Sequence, residues 1–211
     1  MIIKVCGMRD PENILQVAQL GINWMGFIFY PQSPRYALSK EDGQSFFQLT
    51  QEKSNFRKVG VFVDATVEQM IEMADKYKLD YLQLHGNESP EICQTLYNRG
   101  ISLIKTSPIA SINDMQATLP YEGYVDYFLF DTQCEQYGGS GKQFDWSVLS
   151  AYTGKTPFIL SGGITPDSAE AIRQFHHPQF AGIDLNSGFE IEPGLKNSSL
   201  LHTFLKKIKV K

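Results

Sequence analysis

The stretch "KVGVFVDATVEQMIEMADKYKLDYLQLH" (58–85) contains two short apolar runs separated by an amphipathic segment. The runs at 58–63 and 81–85 are rich in β-branched and aromatic residues and are too short for helices, so they predict strands. Residues 66–78 follow a helical period, and Thr66 stands where a helix N-cap is expected. A strand, a helix and a second strand in this order predict two parallel strands with a crossover helix.

The same alternation continues along the rest of the chain. The predicted strands are 2–6, 24–29, 58–63, 81–85, 101–105, 126–131, 157–161 and 181–185. Helices are predicted at 10–21, 66–78, 89–100, 165–175 and 197–210, with less regular candidates at 39–52, 111–118 and 145–152. Eight strands alternating with helices favour an α/β protein with a (β/α)₈ TIM barrel over an open doubly wound sheet. We expect a single catalytic domain over residues 1–211.

The composition is that of an ordinary globular protein, with 42% hydrophobic residues, 20% charged residues and a net charge of -4. An acidic balance without long basic runs argues against nucleic acid as a partner. Cys6, Cys93 and Cys134 are odd in number and far apart, which argues against a disulfide framework. No apolar run reaches membrane-spanning length, and the N-terminus lacks the pattern of a signal peptide. We therefore expect a cytoplasmic protein without membrane contacts, and leave open whether it is a monomer or a homodimer.

Chemistry in a TIM barrel is expected where the strands run into the loops that precede the helices. The residues predicted at these positions include Cys6, Arg35, Asp64, His85, Lys105, Asp131, Gly162, Gly163, Asn186, Ser187 and Gly188. No group of His, Cys, Asp and Glu has the spacing of metal ligands, so we expect no metal.

Cys6 and Asp131 end strands that would lie across the barrel mouth from each other, and a small substrate could sit between them. A thiol acts as a base only when its thiolate is stabilised, and a carboxyl acts as an acid only when its pKa is raised. From position alone, Cys6 could equally be a buried apolar thiol and Asp131 a helix cap or a salt-bridge partner.

Three glycine clusters follow the last three predicted strands: "YGGSGKQFDW" (137–146), "LSGGIT" (160–165) and "LNSGFE" (185–190). Glycine is usually simple turn chemistry, but it also lets backbone N–H groups approach an anion closely. Because the loops after strands seven and eight commonly bind phosphate in this fold, the three clusters together favour a phosphorylated small-molecule ligand.

Side-chain alternation predicts one contact inside the barrel. If Cys6 faces the mouth, then Lys4 also faces the interior. Strands one and eight are neighbours in a closed barrel, so we expect Lys4 to meet Asp184 there, because a buried lysine needs such a partner. The positive charge would then lie below Cys6 and favour its thiolate.

Three further side chains have open roles. Arg35 lies in a loop stiffened by two prolines and is suited to a carboxylate, although it could be a surface arginine. Lys105 could form a Schiff base, bind an anion or pair structurally. His85 could be a ligand, an acid or base, or a structural histidine.

Taken together, these motifs resemble the phosphoribosylanthranilate isomerases of tryptophan biosynthesis. The resemblance runs along the whole chain, through "KVCGMRDPEN", "GFIFYPQSPRY", "LQLHG", "GGSGKQFDW" and "LSGGITPDSAEAI" among others. It implies a (β/α)₈ barrel that converts N-(5-phosphoribosyl)anthranilate to its 1-deoxyribulose isomer by an Amadori rearrangement, without a cofactor.

The resemblance also implies roles for individual residues. Cys6 would be the general base, Asp131 the general acid, and Arg35 the group that holds the anthranilate carboxylate. The implied phosphate cradle is Gly162, Gly163, Ser187 and Gly188, with Gly139, Ser140 and Gly141 in a loop near it. His85 and Asp184 are further candidates for substrate contact. The alternatives are a Schiff-base aldolase that uses Lys105 and a non-catalytic protein that binds a phosphorylated ligand.

Overall fold

Eight parallel strands close into a barrel in chain order, with the first strand beside the eighth. The computed structural model describes residues 1–38, 55–132 and 146–209. The strands are β1 (Ile2–Val5), β2 (Trp24–Ile28), β3 (Arg57–Phe62), β4 (Tyr81–Leu84), β5 (Leu103–Ile109), β6 (Tyr127–Thr132), β7 (Phe158–Ser161) and β8 (Phe180–Leu185). The predicted TIM barrel is therefore confirmed, and each predicted strand is present.

The helices that follow the strands cover the outside of the barrel. They are α1 (Pro11–Ala18), α2 (Val67–Tyr77), α3 (Pro90–Tyr97), α4 (Ala169–Gln174) and α5 (Ser198–Lys209). Thr66 forms the expected cap of α2, in a reciprocal capping box with Gln69. In the part of the chain that the structure describes, no helix combines the length and the hydropathy that a membrane crossing requires.

Two of the three less regular helix candidates are 3₁₀ segments and not α-helices. Ile112–Tyr121 and Trp146–Ala151 replace the helices expected at 111–118 and 145–152. Pro120 lies inside the first of these segments and lacks the N–H that an α-helix would use there. The candidate at 39–52 lies outside the described residues. After β8, a 3₁₀ turn (Ser187–Phe189) leads into an antiparallel pair, β9 (Glu190–Glu192) and β10 (Leu195–Lys196).

Apolar side chains fill the lower part of the barrel interior. Trp24, Val59, Ile104, Leu129 and Ile159 form one buried cluster there. Tyr81 stacks on Trp24 with 4.7 Å between the ring centroids, and Tyr127 packs edge-on against Trp24 at 5.0 Å. A second, larger cluster packs between the strands and the helices. Because the floor is filled, the open space inside the barrel lies toward the C-terminal ends of the strands.

Strand β5 extends four residues beyond the predicted end at Lys105, since it pairs with β6 as far as Ile109. Lys105 is therefore within the strand and not at its end. Its ammonium bonds to the carbonyl oxygens of Leu84 and Gly86 at 3.2 and 2.8 Å and to Glu88 at 3.2 Å. The expectation that Lys105 lies at the barrel mouth is wrong, because this lysine faces outward and anchors the loop after β4.

Candidate active site

A cavity of about 700 Å³ opens at the C-terminal ends of the strands. The predicted site residues that line it are Cys6, Arg35, His85, Asp131, Gly162, Gly163, Asp184 and Ser187. The barrel thus brings together residues at the C-terminal ends of β1, β4, β6, β7 and β8 and Arg35 from the loop after β2, as expected for this fold. Gly139, Ser140 and Gly141 lie outside the described residues.

An ion pair lies inside the barrel below this cavity. The Nζ atom of Lys4 is 2.9 Å from Oδ2 of Asp184, with Lys4 fully buried. The two residues are register partners on the neighbouring strands β1 and β8. This confirms the contact predicted from side-chain alternation. Burial alone would lower the pKa of Lys4, but Asp184 and Cys6 raise it above its ordinary value, so the lysine is charged.

Cys6 follows β1 directly and is 4% exposed. Its thiol lies over Gly26 of β2, where an added Cβ would come within 2.7 Å of Sγ. Burial raises the pKa of the Cys6 thiol, while the nearby charge of Lys4 lowers it, and burial has the larger effect. The predicted influence of Lys4 is therefore present, but it does not outweigh desolvation in the free protein.

Asp131 lies near the end of β6, opposite Ser161 of β7. Its carboxyl group lines the cavity. Burial, followed by the nearby Asp184, raises the pKa of Asp131 above its ordinary value. Desolvation and a like charge are the two effects that keep a carboxyl group protonated, as an acid catalyst requires.

His85 stands at the end of β4 and faces the cavity. Its Nδ1 is 3.0 Å from Nε2 of Gln83 and 3.0 Å from Oγ1 of Thr106. Desolvation of the ring by the surrounding protein has the largest effect on the pKa of His85, and the positive charges of Lys4 and Lys105 add to it. Together they lower this pKa to about 4. Although the ring is exposed to the open cavity, the two lysine charges act in the same direction as desolvation. The imidazole is therefore neutral at neutral pH and can bind through hydrogen bonds but not as a cation.

Arg35 lines the cavity from the loop after β2, but its guanidinium already has a protein partner. Nε lies 2.9 and 3.0 Å from the two carboxylate oxygens of Glu190, and Nη2 lies 2.6 Å from Oε2. Gly7 makes room for this side chain, since an added Cβ would come within 2.7 Å of Cδ of Arg35. Gly7 also has a φ of 75°, which favours glycine. Arg35 is thus a fixed component of the cavity wall.

The glycine loops after β7 and β8 form one side of the cavity. Gly162 and Gly163 adopt left-handed φ values of 82° and 62°, a pair of conformations that other residues adopt at a cost. Gly188 lies against the carbonyl oxygen of Ile164, in a space that a Cβ would fill. Gly188 therefore allows the two loops to pack closely, while Gly162, Gly163 and Ser187 line the cavity.

A Schiff base on Lys105 has less support from the side chains present. The Lys105 side chain is 4% exposed and its ammonium is bonded below the loop after β4, so it does not face the cavity as a Schiff-base nucleophile would. Within the ranges that the structure describes, no three His, Cys, Asp or Glu side chains are grouped as metal ligands would be.

Sequence reasoning missed two charged residues beside the cavity. Both lie in the β9–β10 pair. Glu190 forms an ion pair with Arg35, and Lys196 forms an ion pair with Glu190. Although burial alone would raise the pKa of Glu190, hydrogen bonds from Arg35 and Lys196 lower it to about 2. The sequence signal was the hairpin "EIEPGLK" (190–196), whose Pro193–Gly194 turn places both residues on the same side of the loop after β8.

Comparisons with known proteins find relatives that match along nearly the whole chain. The family model for N-(5'phosphoribosyl)anthranilate isomerase matches residues 3–207. The chain is 63% identical over 208 residues to the N-(5'-phosphoribosyl)anthranilate isomerase of Parabacteroides distasonis, covering 99% of this chain and 93% of the relative. The crystal structure of the phosphoribosyl anthranilate isomerase of Thermotoga maritima has a TM-score of 0.85 at 33% identity, with 99% of each chain covered.

A second solved structure is a phosphoribosyl anthranilate isomerase in complex with reduced 1-(o-carboxyphenylamino)-1-deoxyribulose 5-phosphate. It has a TM-score of 0.81 at 30% identity, and the match covers 99% of both chains. Its ligand carries a phosphate at one end and a benzoate at the other.

Proposed function

Since the chain belongs to the N-(5'-phosphoribosyl)anthranilate isomerase family, we propose that Cys6 is the general base and Asp131 the general acid of its reaction. The protein is an aldose–ketose isomerase of tryptophan biosynthesis. The observation that carries the assignment is that Cys6, which follows β1, and Asp131 of β6 line one cavity, with β7 and β8 between these two strands.

The first half of the reaction opens the sugar ring. A protonated Asp131 donates its proton to the furanose oxygen, and the lone pair of the anthranilate nitrogen forms the C1 imine as the ring C–O bond breaks. The raised pKa of Asp131 supports this role, because a carboxyl group must hold a proton to donate it. The imine forms on the nitrogen of the substrate itself, so no lysine or cofactor takes part.

The second half moves a proton away from C2. The thiolate of Cys6 removes the C2 proton, the electrons move to the imine, and the enolamine that results tautomerises to the ketone. Burial raises the pKa of this thiol, so the thiolate depends on the positive charge of Lys4 beneath it. A positioned base or acid of this kind typically contributes about 10²–10⁴-fold in rate.

The two ends of the substrate match two parts of the cavity wall. Arg35 is proposed to bind the anthranilate carboxylate, since a guanidinium suits a carboxylate in both charge and shape. Gly162, Gly163 and Ser187 are proposed to bind the phosphate, with Gly188 holding their loops together. Asp184 and His85 line the space between the two ends, where the hydroxyl groups of the sugar would lie.

Three further expectations stay predictions. These are the cytoplasmic location, the single domain over residues 1–211, and a phosphate contact by Gly139, Ser140 and Gly141. The choice between monomer and homodimer is open as well, although one solved relative from Thermotoga maritima is described as dimeric.

The test is a fluorescence assay of phosphoribosylanthranilate turnover on the two conservative variants Cys6→Ser and Asp131→Asn. We expect each to lose about 10²–10⁴-fold in kcat, while binding of the reduced product analogue changes little. Full turnover in Cys6→Ser or Asp131→Asn would overturn that residue's role. No turnover by the unaltered chain would instead favour a non-catalytic protein that binds a phosphorylated ligand.

A further inference from the structure

Arg35 is held by a carboxylate that does not belong to the substrate. Glu190 accepts hydrogen bonds from Nε and Nη2 of Arg35 over distances of 2.6–3.0 Å. The Glu190 side chain is 5% exposed and that of Arg35 is 20% exposed, so the pair is largely removed from water. A bidentate contact of this kind fixes the plane of a guanidinium as well as its position.

By itself this pair would weaken an anion site, because the charge of Glu190 cancels that of Arg35. Lys196 supplies a second cation. Its Nζ lies 2.5 Å from Oε1 of Glu190 and 2.8 Å from Oδ1 of Asn186, and its side chain is fully buried. Two cations and one carboxylate leave a net charge of one positive unit in the cluster, and Arg35 is the member that lines the cavity.

We propose that Glu190 and Lys196 are positioning residues that make Arg35 specific for an aryl carboxylate. Glu190 orients the guanidinium, and Lys196 offsets the charge of Glu190 so that Arg35 still attracts an anion. The inference rests on the proposed contact between Arg35 and the anthranilate carboxylate. It adds two residues that do not touch the substrate.

The geometry explains why one guanidinium can serve two carboxylates. Glu190 occupies the edge formed by Nε and Nη2. A guanidinium has a second edge, formed by Nη1 and Nη2, that also binds carboxylates bidentately. Holding the first edge therefore fixes the direction of the second without consuming it. Orientation is set before the substrate arrives, which lowers the entropy cost of binding.

The backbone around the cluster supports its rigidity. Gly194 donates its N–H to Oε1 of Glu190 at 3.0 Å. The side-chain amide of Asn13 in α1 donates a hydrogen bond to the carbonyl oxygen of Lys196 and accepts one from the N–H of Lys196, each over 2.8 Å. The β9–β10 pair is thus tied to α1, and the cluster is built into the fold rather than formed by surface side chains.

The experiment compares two ligands on four proteins. The ligands are the reduced product analogue, which carries the carboxylate, and the same molecule with phenyl in place of carboxyphenyl. The proteins are the unaltered chain, Lys196→Met, the double variant Glu190→Gln/Lys196→Met, and Lys58→Met as a control. Lys58 is another buried lysine, bonded to the carbonyl of Tyr77, and it is not among the residues that line the cavity. The readout is the ratio of the two Kd values, together with kcat and KM for turnover.

We expect Lys196→Met to lose about tenfold in the preference for the carboxylated ligand. Binding of the phenyl ligand should stay close to that of the unaltered chain, and KM should rise more than kcat falls. The double variant removes one charge of each sign and restores the net positive unit, and glutamine keeps a side-chain oxygen that can accept a hydrogen bond from Arg35, so the variant should recover most of the preference. Lys58→Met should keep the full preference. Recovery in the double variant separates charge balance from packing.

Three other outcomes would each overturn one part of the proposal. An unaltered preference in Lys196→Met, where the unaltered chain does discriminate, would overturn the role of Lys196. A double variant as impaired as the single one would overturn the charge-balance argument, because packing alone would explain the loss. A chain that does not discriminate between the two ligands at all would overturn the proposed role of Arg35, and this inference with it.

Discussion

Lys4 and Asp184, separated by 180 positions in the sequence, form an ion pair of 2.9 Å inside the barrel, one interior position below the thiol of Cys6. Closure of the sheet is what brings them together, since β1 and β8 become neighbours only in a barrel. Oδ1 of Asp184 is buried without a hydrogen-bond partner among the described residues, and Asp184 lines the cavity. The pair therefore links the barrel core to the site.

Replacement of Lys4 by Met should destabilise the protein and raise the pKa of the Cys6 thiol. Removing one member of a buried ion pair leaves the other unpaired and costs about 3–5 kcal/mol. The thiol also loses the charge that favours its thiolate, so its reaction with iodoacetamide should shift to higher pH. Urea unfolding and the pH dependence of alkylation measure the two effects.

The double variant Lys4→Met/Asp184→Asn is the matched control for this prediction. It leaves no unpaired charge in the barrel, so the free energy of unfolding should recover relative to the single variant. An alkylation profile of Lys4→Met identical to that of the unaltered chain would contradict the electrostatic role of Lys4, whatever the change in stability.

The pH dependence of kcat/KM should be a plateau across neutral pH. The proposed active form carries its proton on Asp131 and none on Cys6, which is one form of the singly protonated pair. This form is lost when the pair gains a proton at low pH or loses one at high pH. Because burial raises both pKa values, the acid limb should lie above the ordinary value of 3.8 and the alkaline limb above 9.0.

Stopped-flow rates of the unaltered chain between pH 4 and 10 would locate the two limbs. In Asp131→Asn only Cys6 of the pair still titrates, so the rate that remains should rise with pH through the pKa of the thiol and should not form a plateau. An alkaline limb below pH 9.0 in the unaltered chain, or a plateau across neutral pH that persists in Asp131→Asn, would contradict the assignment and indicate a different titrating group.

The barrel could be predicted from local pattern because each strand and helix carries its own signal. "KVGVFV" (58–63) is a short apolar run typical of a buried strand, and "TVEQMIEMADKYK" (66–78) has the period of an amphipathic helix. The structure has β3 and α2 at these positions. The predicted positions of strand ends were less accurate, and β5 is an example. Its continuation to Ile109 depends on pairing with β6, which sequence periodicity does not reveal.

Only some of the residues around the cavity could be predicted from local pattern. Cys6, Asp131 and Asp184 follow from counting positions along strands, because side chains alternate between faces. Glu190 and Lys196 lie in a hairpin after β8, where no strand register with the barrel sets their direction. Their contact with Arg35 depends on how two loops meet across 155 positions of sequence. Local pattern carries no information about such a contact.

Substitution of Gly26 by Ala should impair catalysis through the position of the thiol. The added Cβ would lie 2.7 Å from Sγ of Cys6 and 3.1 Å from its Cα, so the cysteine must shift. A displacement of about 1 Å in a reacting group can cost about 10²-fold in rate. We expect kcat to fall by at least about tenfold, measured in the turnover assay.

Gly60→Ala is the matched control for this substitution. Gly60 lies on the adjacent strand β3, and its added Cβ would meet Leu79 and Phe62, away from the cavity. Gly60→Ala should reduce stability through overpacking while kcat of the folded protein changes little. Equal losses of kcat in both variants would mean that general distortion of the barrel, and not the position of the thiol, sets the rate.

The Glu190 carboxylate should make the protein sensitive to acid. Its pKa is about 2 in the folded protein and near 4.5 in the unfolded chain. The unfolded chain therefore binds this proton first, and the stability that is present above pH 4.5 is lost as the pH falls toward 2. A difference of this size corresponds to about 3 kcal/mol. Urea unfolding between pH 6 and pH 3 should show a shallower pH dependence in Glu190→Gln than in the unaltered chain, and equal slopes would contradict the contribution of this ion pair.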